Sequence, residues 1–177
     1  MRATFYGVRG SIATPGIDTV RYGGNTSCLH VELDDGTQLI IDAGTGIRRL
    51  GDRLADSDAP LTLLFSHHHW DHIQGLPFFS PARLRNSRLI ILGERRVDRR
   101  LDRILAGQMV DAYLPFTLAD LHADFLIKEV HDGEKIVVGN ETTVLPRRLQ
   151  HPGGDPLAAP ARVFPPARRR CATACTW

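Results

Sequence analysis

The chain has 177 residues, 42% hydrophobic and 24% charged, the proportions of a soluble globular domain with enough length for one real core. No apolar run reaches the length of a membrane span, and the N-terminal "MRATFYGVRGSIATPG" lacks the apolar stretch of a signal peptide. The formal net charge of +2 belongs wholly to residues 152–177, which hold four Arg and one Asp, while residues 1–151 carry 18 basic and 19 acidic groups. The body therefore shows no global pull toward nucleic acid.

In chain order, "RATFYGV" (2–8) reads as a short strand and "RGSIATPG" as a Gly/Pro loop, followed by a second turn-rich loop, "RYGGNTS" (21–27). "CLHVEL" (28–33) and "QLIIDAG" (38–44) are two strands joined by the turn "DDG". "TGIRRLGDRLA" (45–55) places Ile47, Leu50 and Leu54 at helical spacing. "LTLLFS" (61–66) is a continuous apolar run, the pattern of a strand buried on both faces. "RLIILG" (88–93) is another strand, and "VDRRLDRILAGQM" (97–109) is an amphipathic helix with Val97, Leu101, Ile104 and Leu105 on one face. The local basic run "ERRVDRR" (94–100) reads as a solvated helix face. "FLIKEV", "KIVVG" and "TTVLPRRL" supply further short strands, so the class is α/β or α+β.

Cys28, Cys171 and Cys175 are an odd count without the spacing of a metal finger or a disulfide framework, which points to a reducing, cytoplasmic setting. After His151 the composition changes. Residues 152–177 hold five Pro, six Ala and four Arg, with neither strand nor helix periodicity, and are not expected to fold on their own.

The stretch that carries chemistry is "LFSHHHWDHIQGLPFF" (64–79). Four histidines and an aspartate fall within residues 67–72, at the carboxyl end of the expected buried strand, where open α/β sheets collect ligands. Imidazole nitrogen and carboxylate oxygen suit Zn²⁺, Mn²⁺ or Fe. His67 and His69 can reach one ion from an extended or tightly turned backbone; Asp71 and His72 can swing toward a second nearby. A His tag or low-complexity tract fits poorly, because the run is internal and broken by Trp70 and Asp71. His68 and Trp70 read as structural fillers. Ser11, Thr45 and Ser66 read as turn and cap residues rather than nucleophiles. The glycine loops could offer backbone N–H groups to a phosphate or be simple tight turns.

His67-x-His69-x-Asp71-His72 resembles the signature of the metallo-β-lactamase-fold hydrolases. "GVRGSIATPG", "RYGGNTSC", "IIDAGTGIRRLG", "LFSHHHWDHIQGLPFF" and "HPGG" occur in the order seen in the branch similar to cyclic-nucleotide phosphodiesterases and transfer-RNA 3′-end nucleases. The resemblance implies an αββα sandwich, of which residues 1–151 supply mainly the N-terminal half. It implies His67, His69 and His151 as ligands of one metal, Asp71 and His72 as ligands of a second, and Asp71 also as proton acceptor. Asp42 matches an acid behind the ligands that orients their rings. It further implies two zinc ions, with Mn or Fe as alternatives, and hydrolysis of phosphodiester bonds by metal-activated hydroxide on a small-molecule or nucleotide substrate. A thioester or lactone is the alternative substrate; a catalytically impaired remnant that binds metal or a partner is the alternative of another kind.

The family pattern continues past "HPGG" to a bridging Asp and a final His, and neither is visible here. Asp155 is not placed on a returning strand. With 20 Arg against two Lys, the gene is expected to be GC-rich, and an out-of-frame reading of such a gene yields Ala, Arg and Pro. Residues 152–177 are therefore expected to lie outside the family fold, and translating the adjacent frames of the DNA tests this. An inner sheet without its partner would expose an apolar face and favour aggregation or a homodimer.

Overall fold

A computed structural model describes residues 1–140 and 142–148, together with the strand backbone at Arg162–Phe164 and Ala172–Thr173. Six strands form the main sheet in sequence order: β1 (Arg2–Gly7), β2 (Cys28–Glu32), β3 (Gln38–Ile41), β4 (Leu61–Leu64), β5 (Arg88–Glu94) and β6 (Asp124–Val130). β1, β2 and β3 pair antiparallel, and β3 through β6 pair parallel. The change of direction follows from the connections. β2 and β3 share the tight turn predicted at residues 34–36, closed by Leu33 N–H donating to Thr37 C=O at 2.9 Å. β3 and β4 are separated by α1 (Ile47–Leu54), long enough for a parallel return.

Both faces of this sheet are covered, as the apolar runs require. Ile40, Leu61, Leu63, Leu89 and Ile91 face one core with Ile47 and Leu50 of α1 and Leu101 and Leu105 of α3 (Leu101–Gly107). The intervening Leu39, Leu64 and Leu92 face a second core with Ile136 and Val138 of β7 (Ile136–Val138) and Val144 of β8 (Thr142–Leu145). The alternation of period two thus sorts each strand's side chains between a helical layer and a second sheet. That second sheet runs β7, β8, β9 (Arg162–Phe164) and β10 (Ala172–Thr173), antiparallel throughout. The expectation of an uncovered inner face is not met at these positions: Leu39 and Leu64 are fully buried under the β7–β8 hairpin.

One helix starts later than its periodicity suggests. Residues 95–100 are exposed and non-helical, and Val97 stands fully in solvent rather than on the apolar face of α3. The cause is a distant acceptor: the Leu101 N–H donates to Glu129 Oε1 of β6 at 2.8 Å, fixing the first turn at Leu101. The arginine run is therefore a bent, non-helical segment leaving β5 rather than a helix face. Among the described residues no helix is long and apolar enough to cross a membrane.

Candidate metal centre

The site is assembled from the carboxyl ends of β3 and β4. Asp42 follows β3, and its N–H donates to Leu64 C=O at 2.9 Å. Ser66 and His67 follow β4, and the predicted loop closes into one helical turn, α2 (Trp70–Ile73), beginning after His69. Two backbone bonds clamp this turn to the Asp42 segment: Ala43 N–H to His72 C=O and Gly75 N–H to Ala43 C=O, both 2.7 Å. The approach is too close for side chains. A Cβ on Gly44 would strike the Asp71 carbonyl oxygen, and one on Gly75 would strike the Gly44 carbonyl oxygen. The glycines of "DAGTG" and "IQG" are thus what let the two segments touch.

Asp42 is buried and sits in the left-handed region at φ 64, a conformation tolerated by Asp because its short carboxylate can bond locally. Its Oδ1 accepts from Ser66 N–H at 2.8 Å, and both its oxygens lie 2.8 Å from Ser66 Oγ. Its Oδ2 also accepts from Ser27 Oγ at 3.2 Å and contacts His72 Nδ1 at 2.8 Å. On the far side of that ring, His72 Nε2 lies 3.4 Å from Asp71 Oδ2. Burial disfavours a charged His72, but the Asp42 hydrogen bond and the Asp42 and Asp71 charges outweigh it and raise its pKa above the ordinary imidazole value. Asp71 is held in turn by the Ser11 N–H at 2.7 Å. Ser11 has φ 65, so the two non-glycine residues with positive φ among those described both touch this cluster.

The rings gather on this base. His67 is buried, with its centroid 4.1 Å from that of His72 and 4.4 Å from that of His69. His69 and Trp70 are exposed. His68 turns the other way, edge-on to Phe65 and close over Gly93, as expected of a filler; burial and the Arg96 charge push its pKa down to about 4. His151, the sixth residue of the expected set, lies outside the described residues. Among the described residues no three His, Cys, Asp or Glu side chains close around a common point. The donor chemistry nevertheless fits a Zn²⁺-type ion: imidazoles and a carboxylate side by side, backed by an acid on the Nδ1 of one ring.

Ser66 is a turn residue, as its sequence context suggests, with its N–H on Asp42 Oδ1, and its hydroxyl also joins Asp42 to His67. Ser27 is a residue that sequence reasoning missed, since nothing local marks a serine that bonds an acid 15 positions away. Thr45 is a turn latch, as expected: its Oγ1 accepts from Thr26 N–H at 2.9 Å. In the first glycine loop the Ser11, Ile12 and Thr14 N–H groups all donate to protein acceptors, which is the tight-turn reading at those positions.

Comparison with known proteins agrees with this architecture. Residues 21–84 match the family model of the Metallo-beta-lactamase superfamily, a segment that contains Asp42 and all of His67–His72. The metallo-beta-lactamase fold protein YhfI from Bacillus subtilis superposes with a TM-score of 0.59 at 17% identity, covering 92% of this chain and 57% of that one. Zn²⁺-bound PqqB from Methylobacterium extorquens superposes with a TM-score of 0.53 at 13% identity, covering 83% and 55%. No curated protein sequence matches the chain. The chain has the metallo-β-lactamase fold, and the matched segment supports placement in that superfamily. It spans a little over half the length of the two solved structures.

Proposed function

We propose that the chain acts as a metal-dependent hydrolase of phosphodiester bonds. The observation that carries the metal reading is the buried Asp42–Ser66 base behind His67 and His72, a supporting arrangement that costly burial of polar groups would not sustain without a task. His67, His69 and His151 would hold one ion, and Asp71 with His72 a second. Bound zinc, or Mn or Fe, would supply Lewis acidity and a water of lowered pKa. Asp71, fixed by Ser11, would accept the proton of that water.

The phosphodiester preference is supported by charge on the segment that leaves β5. Phe65 N–H donates to Leu92 C=O at 2.8 Å, which sets the end of β5 beside the residues leaving β4, and Arg95 N–H donates to Val130 C=O of β6 at 3.0 Å. That segment presents Arg95 and Arg99, exposed and outside the ion pairs Arg96–Asp98 and Arg100–Asp102. Exposed guanidinium groups suit a substrate that carries negative charge.

The test is elemental mass spectrometry on protein purified without a His tag, followed by assays with a chromogenic phosphodiester, a thioester and a lactone. About two metals per chain with phosphodiester turnover is the expected result. Turnover of the thioester or lactone alone overturns the substrate class. A second reading, a catalytically impaired remnant that still binds metal, predicts metal uptake and no turnover of any of the three.

A further inference from the structure

We infer that Ser66 is a positioning residue that sets the tautomer of His67, its hydroxyl being fixed in turn by Asp42. The inference rests on the metal-centre reading above, and its argument is one of proton counting. Ser66 Oγ lies 2.8 Å from both oxygens of Asp42, 3.1 Å from His67 Nδ1 and 3.4 Å from His72 Nδ1. A serine hydroxyl has one proton and two lone pairs, and a carboxylate can only accept. The shorter, charge-assisted contact takes the proton, so the O–H points at Asp42. Only lone pairs then remain for His67 Nδ1, and that contact is attractive when Nδ1 carries the hydrogen. His72 Nδ1, 2.8 Å from an oxygen of the same carboxylate, is set the same way.

His67 is thereby held as the Nδ1–H imidazole, leaving Nε2 as the nitrogen that can bind a cation. This is the less populated tautomer of imidazole in water, so it must be imposed. The Ser66 hydroxyl, fixed by the Asp42 carboxylate, imposes it on one expected metal ligand. A threonine would preserve the hydroxyl, and alanine would remove it while keeping the Ser66 N–H bond to Asp42 Oδ1 that holds the turn.

Imidazole ¹⁵N NMR on metal-free protein, compared with Ser66→Ala and Ser66→Thr, tests this without any metal. The expected result is Nδ1–H His67 in the wild type and in Ser66→Thr, and a shift toward Nε2–H in Ser66→Ala with His72 little changed. Zn²⁺ titration against a chelating dye should then show roughly tenfold weaker binding in Ser66→Ala, restored by Ser66→Thr, the scale expected for an outer hydrogen-bond partner. Wild-type His67 in the Nε2–H form, or an unchanged His67 tautomer in Ser66→Ala, overturns the inference. Nδ1–H His67 in a wild type that takes up no Zn²⁺ upholds the positioning role and overturns the metal reading instead.

Discussion

The two sides of the candidate metal centre are built differently. On the inner side, Asp42, Ser66, His67 and His72 are tied by contacts of 2.8–3.4 Å and rest on a turn clamped by backbone bonds. On the outer side, His69 stands exposed beside Trp70, at the N-terminal edge of a single helical turn. The inner side is fixed before any ligand arrives. The outer side can adapt, so ligand binding there orders a side chain and inner binding does not. This division predicts that damage to the inner side alters tautomer and fold together, whereas damage to the outer side alters only affinity.

The largest effect on metal uptake should come from the proposed outer ligand, His69. His69→Ala removes a donor outright and should weaken Zn²⁺ binding by more than about 100-fold, the upper end for loss of an outer hydrogen bond. His68→Ala should leave binding nearly intact, because that ring packs on Phe65 away from the cluster. Isothermal titration of both variants decides the matter, and equal losses would sink the ligand assignment. Next comes Asp42→Asn, which keeps the shape and tolerates the left-handed backbone but presents N–H where an acceptor is needed. Binding should fall about 10–100-fold, with a measurable loss in the urea midpoint of the metal-free chain. Unchanged urea stability would show that the inner side is not preorganised.

The pH dependence of metal-free stability separates two half-buried histidines, His72 and His68. For His72, burial opposes the charge but the Asp42 bond and the Asp42 and Asp71 charges prevail, so its folded pKa lies above 6.5. Its contribution is complete below 6.5 and is lost as pH rises through the raised value. For His68, burial first and the Arg96 charge second depress the pKa to about 4. Its folded state binds fewer protons than the unfolded chain between about 4 and 6.5, so stability falls as pH drops through that window, by up to about 3 kcal/mol. Urea unfolding across pH should show this acid loss reduced in His68→Leu. Parallel curves for the two proteins between pH 4 and 6.5 would rule it out.

What was legible in the sequence is what local chemistry writes locally. The strands of the main sheet, α1 and the cluster at 67–72 each declare themselves within a dozen residues, by apolar period or by donor spacing. Partners far apart in sequence left no such mark. Asp42 was reached only through a resemblance, and beside His72 the residues that satisfy its buried carboxylate are Ser27 and Ser66, of a kind common in any turn. The second-sheet cover over Leu39 and Leu64 comes from short strands near residue 140 whose pairing no periodicity announces.

The smallest predicted effect tests the one element whose start the periodicity misplaced. Val97 follows the helical spacing of Leu101, Ile104 and Leu105, and as part of that apolar face its burial would contribute about 1.5–3 kcal/mol. It is instead fully exposed, four residues before a helix whose first N–H is bound by Glu129. Val97→Ser should therefore change stability by less than about 0.5 kcal/mol. Glu129→Ala removes the acceptor that starts α3 and should cost about 1 kcal/mol, typical of a lost cap. If Val97→Ser proves the costlier of the two in urea unfolding, the helix reaches back to Val97 in solution. The arginine run would then lie on a helix face rather than on the non-helical segment that leaves β5, weakening the support it gives to a phosphodiester substrate.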